Sequence, residues 1–168
     1  FIAYRYVTSD AISPVYVIDA ETGDYISQSN VSGVLAFFWS PDSQKIAYVT
    51  LSNAPGSFDI RNDVSGGLNA YMVQDVDGFS WNILNIEDNT NMLLDSFVPT
   101  SDMQYLFTNF DQFAQSHRVW SPDSRYIVYS KVVNIDVVTP QITLLDTSSD
   151  QIEPIYVGDG LFAVWSFE

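Results

Sequence analysis

Short apolar runs alternate with clusters of turn residues along most of this chain. Runs rich in Val, Ile, Tyr and Phe are typical of β-strands rather than helices. Residues 34–40 read VLAFFWS and residues 45–51 read KIAYVTL, with Pro41, Asp42 and Ser43 between them. Proline presets the backbone angle φ, and Asp and Ser side chains accept hydrogen bonds from nearby N–H groups. The pattern therefore predicts a β-hairpin over residues 34–51.

The second half of this hairpin belongs to a phrase that the chain repeats. WSPDSQKIAY spans residues 39–48, and WSPDSRYIVY spans residues 120–129. Residues 164–166 read VWS, a partial third copy, and residues 1–4 read FIAY, the second half of the phrase alone. Self-similarity on this scale is typical of repeat architectures, in which each unit buries its core by stacking on its neighbours.

Each repeat unit holds two further strand-like runs, so we name the four strands of a unit a, b, c and d. In the first unit, c is expected at 14–20 and d at 25–29. In the last unit, c is expected at 141–146 and d at 152–157. Four short antiparallel strands per unit predict a propeller blade. We therefore predict a single all-β domain over residues 1–168, with three four-stranded blades at about 1–38, 39–119 and 120–168.

The W-S-P-D tetrad followed by I-A-Y resembles the repeat of the TolB-type β-propeller family. The resemblance covers nearly the whole chain and implies a propeller fold and a periplasmic or extracellular location. It says little about activity, since the family includes periplasmic interaction proteins and propeller domains attached to peptidases. Ser43 and Ser124 stand where the family usually has glycine, so we expect a turn in which a positive φ is not obligatory. The resemblance also implies that Trp39, Trp120 and Trp165 pack within the blades rather than stack on a ligand.

The spacing of the repeats locates two insertions in the middle unit. Tyr4 and Tyr48 are 44 residues apart, whereas Tyr48 and Tyr129 are 81 apart. Comparison with the other units places about 23 extra residues between strands b and c, within 53–78, and about 13 between d and a, within 98–116. These two connections leave an up-and-down sheet from the same face. Long loops on a rigid scaffold often carry function; decoration that only fills space is the alternative.

The candidate binding residues lie in or directly after these insertions. The second insertion also holds four aromatic residues, expected to form a short helix or strand that caps the propeller or, alternatively, to line a binding groove. His117, the single histidine of the chain, and Arg118 follow it and are expected near the mouth of the central channel. The predicted contacts are Arg61, Asp63, Asp111, His117 and Arg118.

Metal and cofactor sites find little support in the sequence. Asp75 and Asp77 resemble part of a calcium loop, whose oxygen ligands need alternating acids. The stretch has no third acid and no distal Glu at the required spacing, so an Asp-Gly turn at residues 77–78 is the preferred interpretation. A lone histidine and no cysteine predict no transition-metal site.

Composition and missing motifs argue against several classes of function. The net charge of −15, from 21 acidic and 6 basic residues, disfavours nucleic acid as a partner. No apolar run is long enough to insert into a membrane. The chain has no G-x-S-x-G elbow, no P-loop and no G-x-G-x-x-G fingerprint, so we predict no catalysis and no catalytic residue. Ser116 is expected on the opposite face of a strand from His117, which would prevent their cooperation.

The sequence thus predicts a non-catalytic binding or scaffold module for a protein or peptide, acting through the face that carries both insertions. The alternative is a substrate-gating propeller domain of a peptidase or other hydrolase. Three blades expose two apolar faces, and the two ends of the chain hold complementary parts of one blade. We therefore expect either a head-to-tail homodimer with a six-bladed ring or a fragment of a larger propeller.

Overall fold

A computed structural model describes residues 1–52, 78–114, 116–133, 139–149 and 152–166. The described chain is mostly β, with two short helices. Its strands are β1 (Ile2–Tyr4), β2 (Tyr16–Ile18), β3 (Tyr25–Gln28), β4 (Val34–Trp39), β5 (Lys45–Leu51), β6 (Phe79–Asn85), β7 (Asn91–Pro99), β8 (Tyr126–Val132), β9 (Pro140–Asp146) and β10 (Ile155–Asp159). Its helices are α1 (Ser101–Thr108) and α2 (Phe110–Phe113).

Within each of the two described sheets, consecutive strands pair antiparallel. Strands β1, β2 and β3 form one sheet in that order, and β4 to β10 form a second sheet, also in chain order. Within the second sheet, β4–β7 is linked to β8–β10 through only two residue pairs, Val98–Val132 and Pro99–Lys131. The strands therefore fall into antiparallel meanders, and β2 and β10 are shorter or shifted relative to their predicted bounds.

The repeated phrase occupies the same structural position in both full copies. Strands β4 and β5 form the predicted hairpin, with Trp39 opposite Ile46. In the later copy, Trp120 forms an isolated antiparallel bridge with Ile127. Trp120 is 3% exposed, and Trp39 is partly buried. The prediction of equivalent, packed tryptophans is confirmed.

Hydrogen bonds from the Ser and Asp side chains close the turn between these strands. The Lys45 N–H donates to Ser40 Oγ at 2.9 Å, and the Gln44 N–H donates to Asp42 Oδ1 at 3.0 Å. In the second copy the Ser121 hydroxyl donates to Asp123 Oδ1 at 2.5 Å. The hydrogen bond from this hydroxyl is the main reason that the pKa of Asp123 lies below its ordinary value. The turn chemistry predicted from the sequence is thus confirmed.

Both serines of the repeated turn adopt a positive φ, so replacement of glycine by serine does not release the turn from this conformation. Ser43 has φ of 59° and Ser124 has φ of 60°, both in the left-handed region. The turn needs this conformation to bring the strands back into register, and the side-chain hydrogen bonds of the turn hold it against the steric cost of a Cβ in that region. Serine therefore occupies a position whose geometry favours glycine.

We predict that Ser43→Gly stabilises the protein by about 0.5–1 kcal/mol, because glycine adopts positive φ without the steric cost. Urea unfolding at equilibrium measures the change. Ser124→Gly is the matched comparison: the Ser124 hydroxyl accepts a hydrogen bond from the Asp42 N–H at 3.0 Å, which the variant loses. Ser124→Gly should therefore gain less than Ser43→Gly. A loss of stability in Ser43→Gly would contradict the strain argument.

The middle meander is buried on both faces, because alternate residues of a strand point to opposite sides of the sheet. Ile46 and Tyr48 of β5 pack with Val17 of β2 in one apolar cluster. Ala47 and Val49 pack in a larger cluster with residues of β6–β9 and of both helices. The β1–β3 sheet thus covers one face of the middle meander, and β8–β9 with the helices cover the other.

The helices come from the second predicted insertion and belong to the larger cluster. Thr100 caps α1, with its hydroxyl accepting from the Met103 N–H at 3.5 Å. Met103 and Phe107 are fully buried, and Phe110 of α2 is 6% exposed. The packing role expected for the inserted aromatics is confirmed for Phe107 and Phe110. Neither helix has the length and apolarity needed to cross a bilayer, nor does any other among the described residues.

Candidate functional site

A groove of about 770 Å³ runs between the two W-S-P-D-S turns and the helices. Residues of β4 form one side, residues 117–122 form another, and Phe110 and Ala114 contribute from α2 and its end. Its lining is rich in aromatic side chains, with one cationic residue, Arg118, and one imidazole, His117. The repeat itself builds this groove, because both full copies of the phrase bring their strand-a residues to it.

Ring contacts make the floor of the groove rigid. Phe38 and Phe110 meet edge to face with ring centres 5.3 Å apart, and Phe37 lies 4.9 Å from Phe110. The Trp120 indole N–H donates to the Phe38 carbonyl oxygen at 3.0 Å, which ties the two repeat copies together. Near the rim, Phe1 lies parallel to Trp39 with ring centres 6.5 Å apart and is 59% exposed. The groove thus combines a fixed aromatic floor with an accessible aromatic edge.

Asp111 lies on α2 beside the groove, where it contacts the segment after β1. The Arg5 guanidinium lies 3.4 Å from the Asp111 carboxylate and 5.8 Å from the centre of the Phe110 ring. The Asp111 side chain is 86% exposed, so this ion pair adds little stability. Its carboxylate is therefore accessible to a partner as well as to Arg5.

His117 and Ser116 hydrogen-bond each other, so the expectation that they point to opposite faces is wrong. Ser116 Oγ lies 2.7 Å from His117 Nδ1. The reason is local: Ser116 lies in a turn after α2, where its N–H and that of His117 both donate to the Phe113 carbonyl oxygen. The Ser116 hydroxyl also donates to this oxygen at 3.2 Å. The donor in the Ser116–His117 hydrogen bond depends on which ring nitrogen of His117 carries the proton.

A second, smaller pocket of about 310 Å³ adjoins the groove at His117. Four rings line it, together with Leu106 and the carboxylate-bearing Asp102. Three of the rings were candidates from the sequence, two as aromatic residues of the second insertion and one as the single histidine. Neither Phe162 nor Asp102 was a candidate. Phe162 is far from α1 in the sequence, and no local sequence pattern predicts that it lines this pocket. The four rings belong to Tyr105, Phe113, His117 and Phe162.

The structure brings together only part of the predicted contact set. His117 and Arg118 both line the groove, and Asp111 lies on α2, which contributes Phe110 to it. Arg61 and Asp63 lie outside the described residues, so the prediction that both insertions share one face stays a prediction.

The calcium-like Asp75 and Asp77 also lie outside the described residues. Across the described part of the chain, no three His, Asp or Glu side chains come close enough to hold a metal ion.

Comparison with known proteins gives similarity of fold only. No protein-family model matches the chain, and no curated protein is significantly similar to it. Among solved structures, TolB from Acinetobacter baumannii aligns with a TM-score of 0.46 and 17% identity, over 90% of this chain and 29% of that one. The β-propeller domain of the Trilobed protease from Pyrococcus furiosus aligns with a TM-score of 0.46 and 11% identity, over 93% and 43%. The chain spans less than half the length of either structure, and what it shares with them is a mostly β, antiparallel, propeller-like architecture.

Proposed function

We propose that this chain is a non-catalytic module of β-propeller type that binds a protein or peptide segment. The observation that carries the proposal is the aromatic groove beside α2, with His117 and Arg118 in its lining. A volume of about 770 Å³ is within the range of ligand sites and accommodates several side chains of an extended segment. Aromatic and arginine side chains are the residues that most often dominate protein interfaces.

Selection of displayed random peptides against the purified chain tests this proposal. We expect enriched peptides to bind in the groove, so that Phe1→Ala and Arg118→Glu each weaken their binding at least about tenfold, the loss expected of a residue that dominates an interface. Leu93→Ala is the matched control, because Leu93 of β7 is 60% exposed, as Phe1 is 59%, and does not line the groove. Enrichment of no peptide, or binding that both groove variants leave intact, would count against the proposal.

We further propose that the described meanders are three blades and that a second copy of the chain completes a six-bladed ring. Exposed apolar side chains concentrate at both ends of the blade stack: Tyr25 is 56% exposed and Val157 is 57% exposed. Among the described strands, β1 pairs with β2 alone and so lies at the edge of the first sheet. The segment 161–166, which lies outside every described strand, has the composition of strand a and is suited to pair with β1 of a second copy.

Light scattering at low micromolar concentration decides the oligomeric state, with a mass twice that of the chain as the expected result. Val164→Asp, at a side chain 43% exposed, should shift the protein toward monomer. Leu93→Asp, away from both ends, should not. Deletion of residues 161–168 should abolish the dimer. A stable monomer would contradict ring completion by a second copy and favour a piece of a larger propeller.

A further inference from the structure

The small pocket beside α1 has the form of an aromatic cage. Tyr105, Phe113, His117 and Phe162 line it, and Asp102 adds a carboxylate. We propose that it binds the side-chain ammonium group of a lysine carried by the partner. This inference rests on the proposed role in protein binding and names the chemistry of one anchor residue.

The rings form walls around the pocket rather than a stack. Tyr105 and Phe113 have ring centres 5.7 Å apart and an angle of 54° between their planes. Phe113 and His117 are 5.0 Å apart at 84°, and His117 and Phe162 are 5.5 Å apart at 71°. Successive rings therefore meet at steep angles along the lining of the pocket. The negative electrostatic potential over aromatic faces attracts a cation placed among them.

The last wall of the cage is held in place by buried hydroxyl groups. The Leu161 carbonyl oxygen lies 2.7 Å from Thr100 Oγ1 and 2.6 Å from Ser130 Oγ. Thr100 is 2% exposed and Ser130 is fully buried, so these contacts are shielded from water. They position the backbone next to Phe162 before any ligand arrives. A site assembled in advance loses less conformational entropy on binding.

Charge selects a cation for this pocket. Among the described residues, Asp102 is the one carboxylate that lines the pocket and no Lys or Arg lines it, and the chain as a whole has a net charge of −15. A negative protein attracts basic segments and repels acidic ones. Asp102 also accepts hydrogen bonds, which the N–H groups of a lysine supply and a quaternary ammonium cannot. Leu106, in turn, offers apolar surface to the methylene stem of the lysine.

The probe for this site is N-acetyl-lysine methylamide, titrated into the labelled chain at about pH 8 and followed by NMR. We expect saturable shifts of the side-chain signals of Tyr105, His117 and Phe162. N-acetyl-norleucine methylamide has the same apolar stem without the ammonium group and should bind at least about fivefold more weakly, as expected for a loss of ~1 kcal/mol of cation–π attraction. Tetramethylammonium, which donates no hydrogen bond to Asp102, should also bind more weakly.

Variants at exposed positions of the cage separate recognition from folding. Tyr105 is 58% exposed, so Tyr105→Ala should leave the fold intact and weaken lysine binding about fivefold. Asp102→Asn keeps the shape of the side chain and removes its charge, and it should weaken binding by a similar factor. Tyr25→Ala is the matched control, since Tyr25 is 56% exposed and lies outside the pocket; it should leave the affinity unchanged.

Three results would overturn the inference. Equal affinity for the norleucine probe would make the site apolar rather than cationic, and tighter binding of tetramethylammonium would assign it to a quaternary ammonium ligand. No shift of the cage signals at up to roughly 50 mM probe, where even a millimolar site is saturated, would mean that the rings only pack. Each of these outcomes leaves peptide binding in the larger groove intact, so failure of the cage and failure of the proposed function are distinguishable.

Discussion

Trp120→Ala should lower the free energy of unfolding by about 3–5 kcal/mol, because truncation of a buried tryptophan removes apolar contacts and leaves a cavity. Trp120 is 3% exposed in the larger apolar cluster. Its indole N–H also donates to the Phe38 carbonyl oxygen, which the variant leaves without this partner. For a domain of this size the loss corresponds to a fall of roughly 10 °C in Tm. Calorimetry and urea unfolding measure both quantities.

Trp39→Ala is the internal comparison, since Trp39 has the same place in the repeat but is only partly buried and stacks on the exposed Phe1. We expect it to cost less than half as much. Trp120→Phe retains most of the ring and should cost about 1–2 kcal/mol through the lost hydrogen bond. If Trp120→Ala costs no more than Trp39→Ala, the difference in burial between the two copies does not govern stability.

Raising the pH from about 10 to 12 should remove about 4 kcal/mol of stability, because two buried tyrosines keep their protons in the folded protein at pH values where the unfolded chain loses them. Burial raises the pKa of Tyr48 to about 12. Burial also raises the pKa of Tyr129, whose hydroxyl donates to the Asp95 carboxylate. Between pH ~10 and the native pKa of each tyrosine, the unfolded chain releases the proton and the native state holds it. The free energy of unfolding therefore falls by up to ~1.4 kcal/mol per pH unit for each tyrosine.

Urea unfolding at several pH values between about 8 and 12 measures this slope. Tyr48→Phe and Tyr129→Phe should each remove about half of it, although both variants are less stable at every pH because they lose a buried hydrogen bond. Tyr25→Phe, at an exposed tyrosine, should leave the slope unchanged. A slope that neither buried variant alters would show that other groups cause the alkaline loss.

The repeated hairpin is the part of the fold that could be predicted best. Strand β5 (Lys45–Leu51) was predicted with the bounds it has, and β4 (Val34–Trp39) within one residue. The hydrogen bonds of Ser40 and Asp42 in the turn were also predicted correctly. These features depend on residues a few positions apart, so side-chain periodicity and turn chemistry are sufficient to determine them.

The sequence was a poor guide to backbone conformation and side-chain direction where strand register or an inserted helix determines them. A positive φ was not expected to be obligatory at Ser43 and Ser124, but return of the strand into register imposes the left-handed conformation on serine as on glycine. Ser116 and His117 were treated as strand residues on opposite faces. They lie instead at the end of an inserted helix, where a turn brings their side chains together.

The sequence by itself determined the antiparallel hairpins, the equivalence of Trp39 and Trp120, and the acidic net charge. Only the tertiary structure decided that the middle meander is buried on both faces and that Phe162 joins Tyr105 and His117 around one pocket. The physical reason is sequence separation. Hydrophobic alternation specifies which side of a strand is buried, but which distant side chain packs against it depends on how whole sheets and helices fit together.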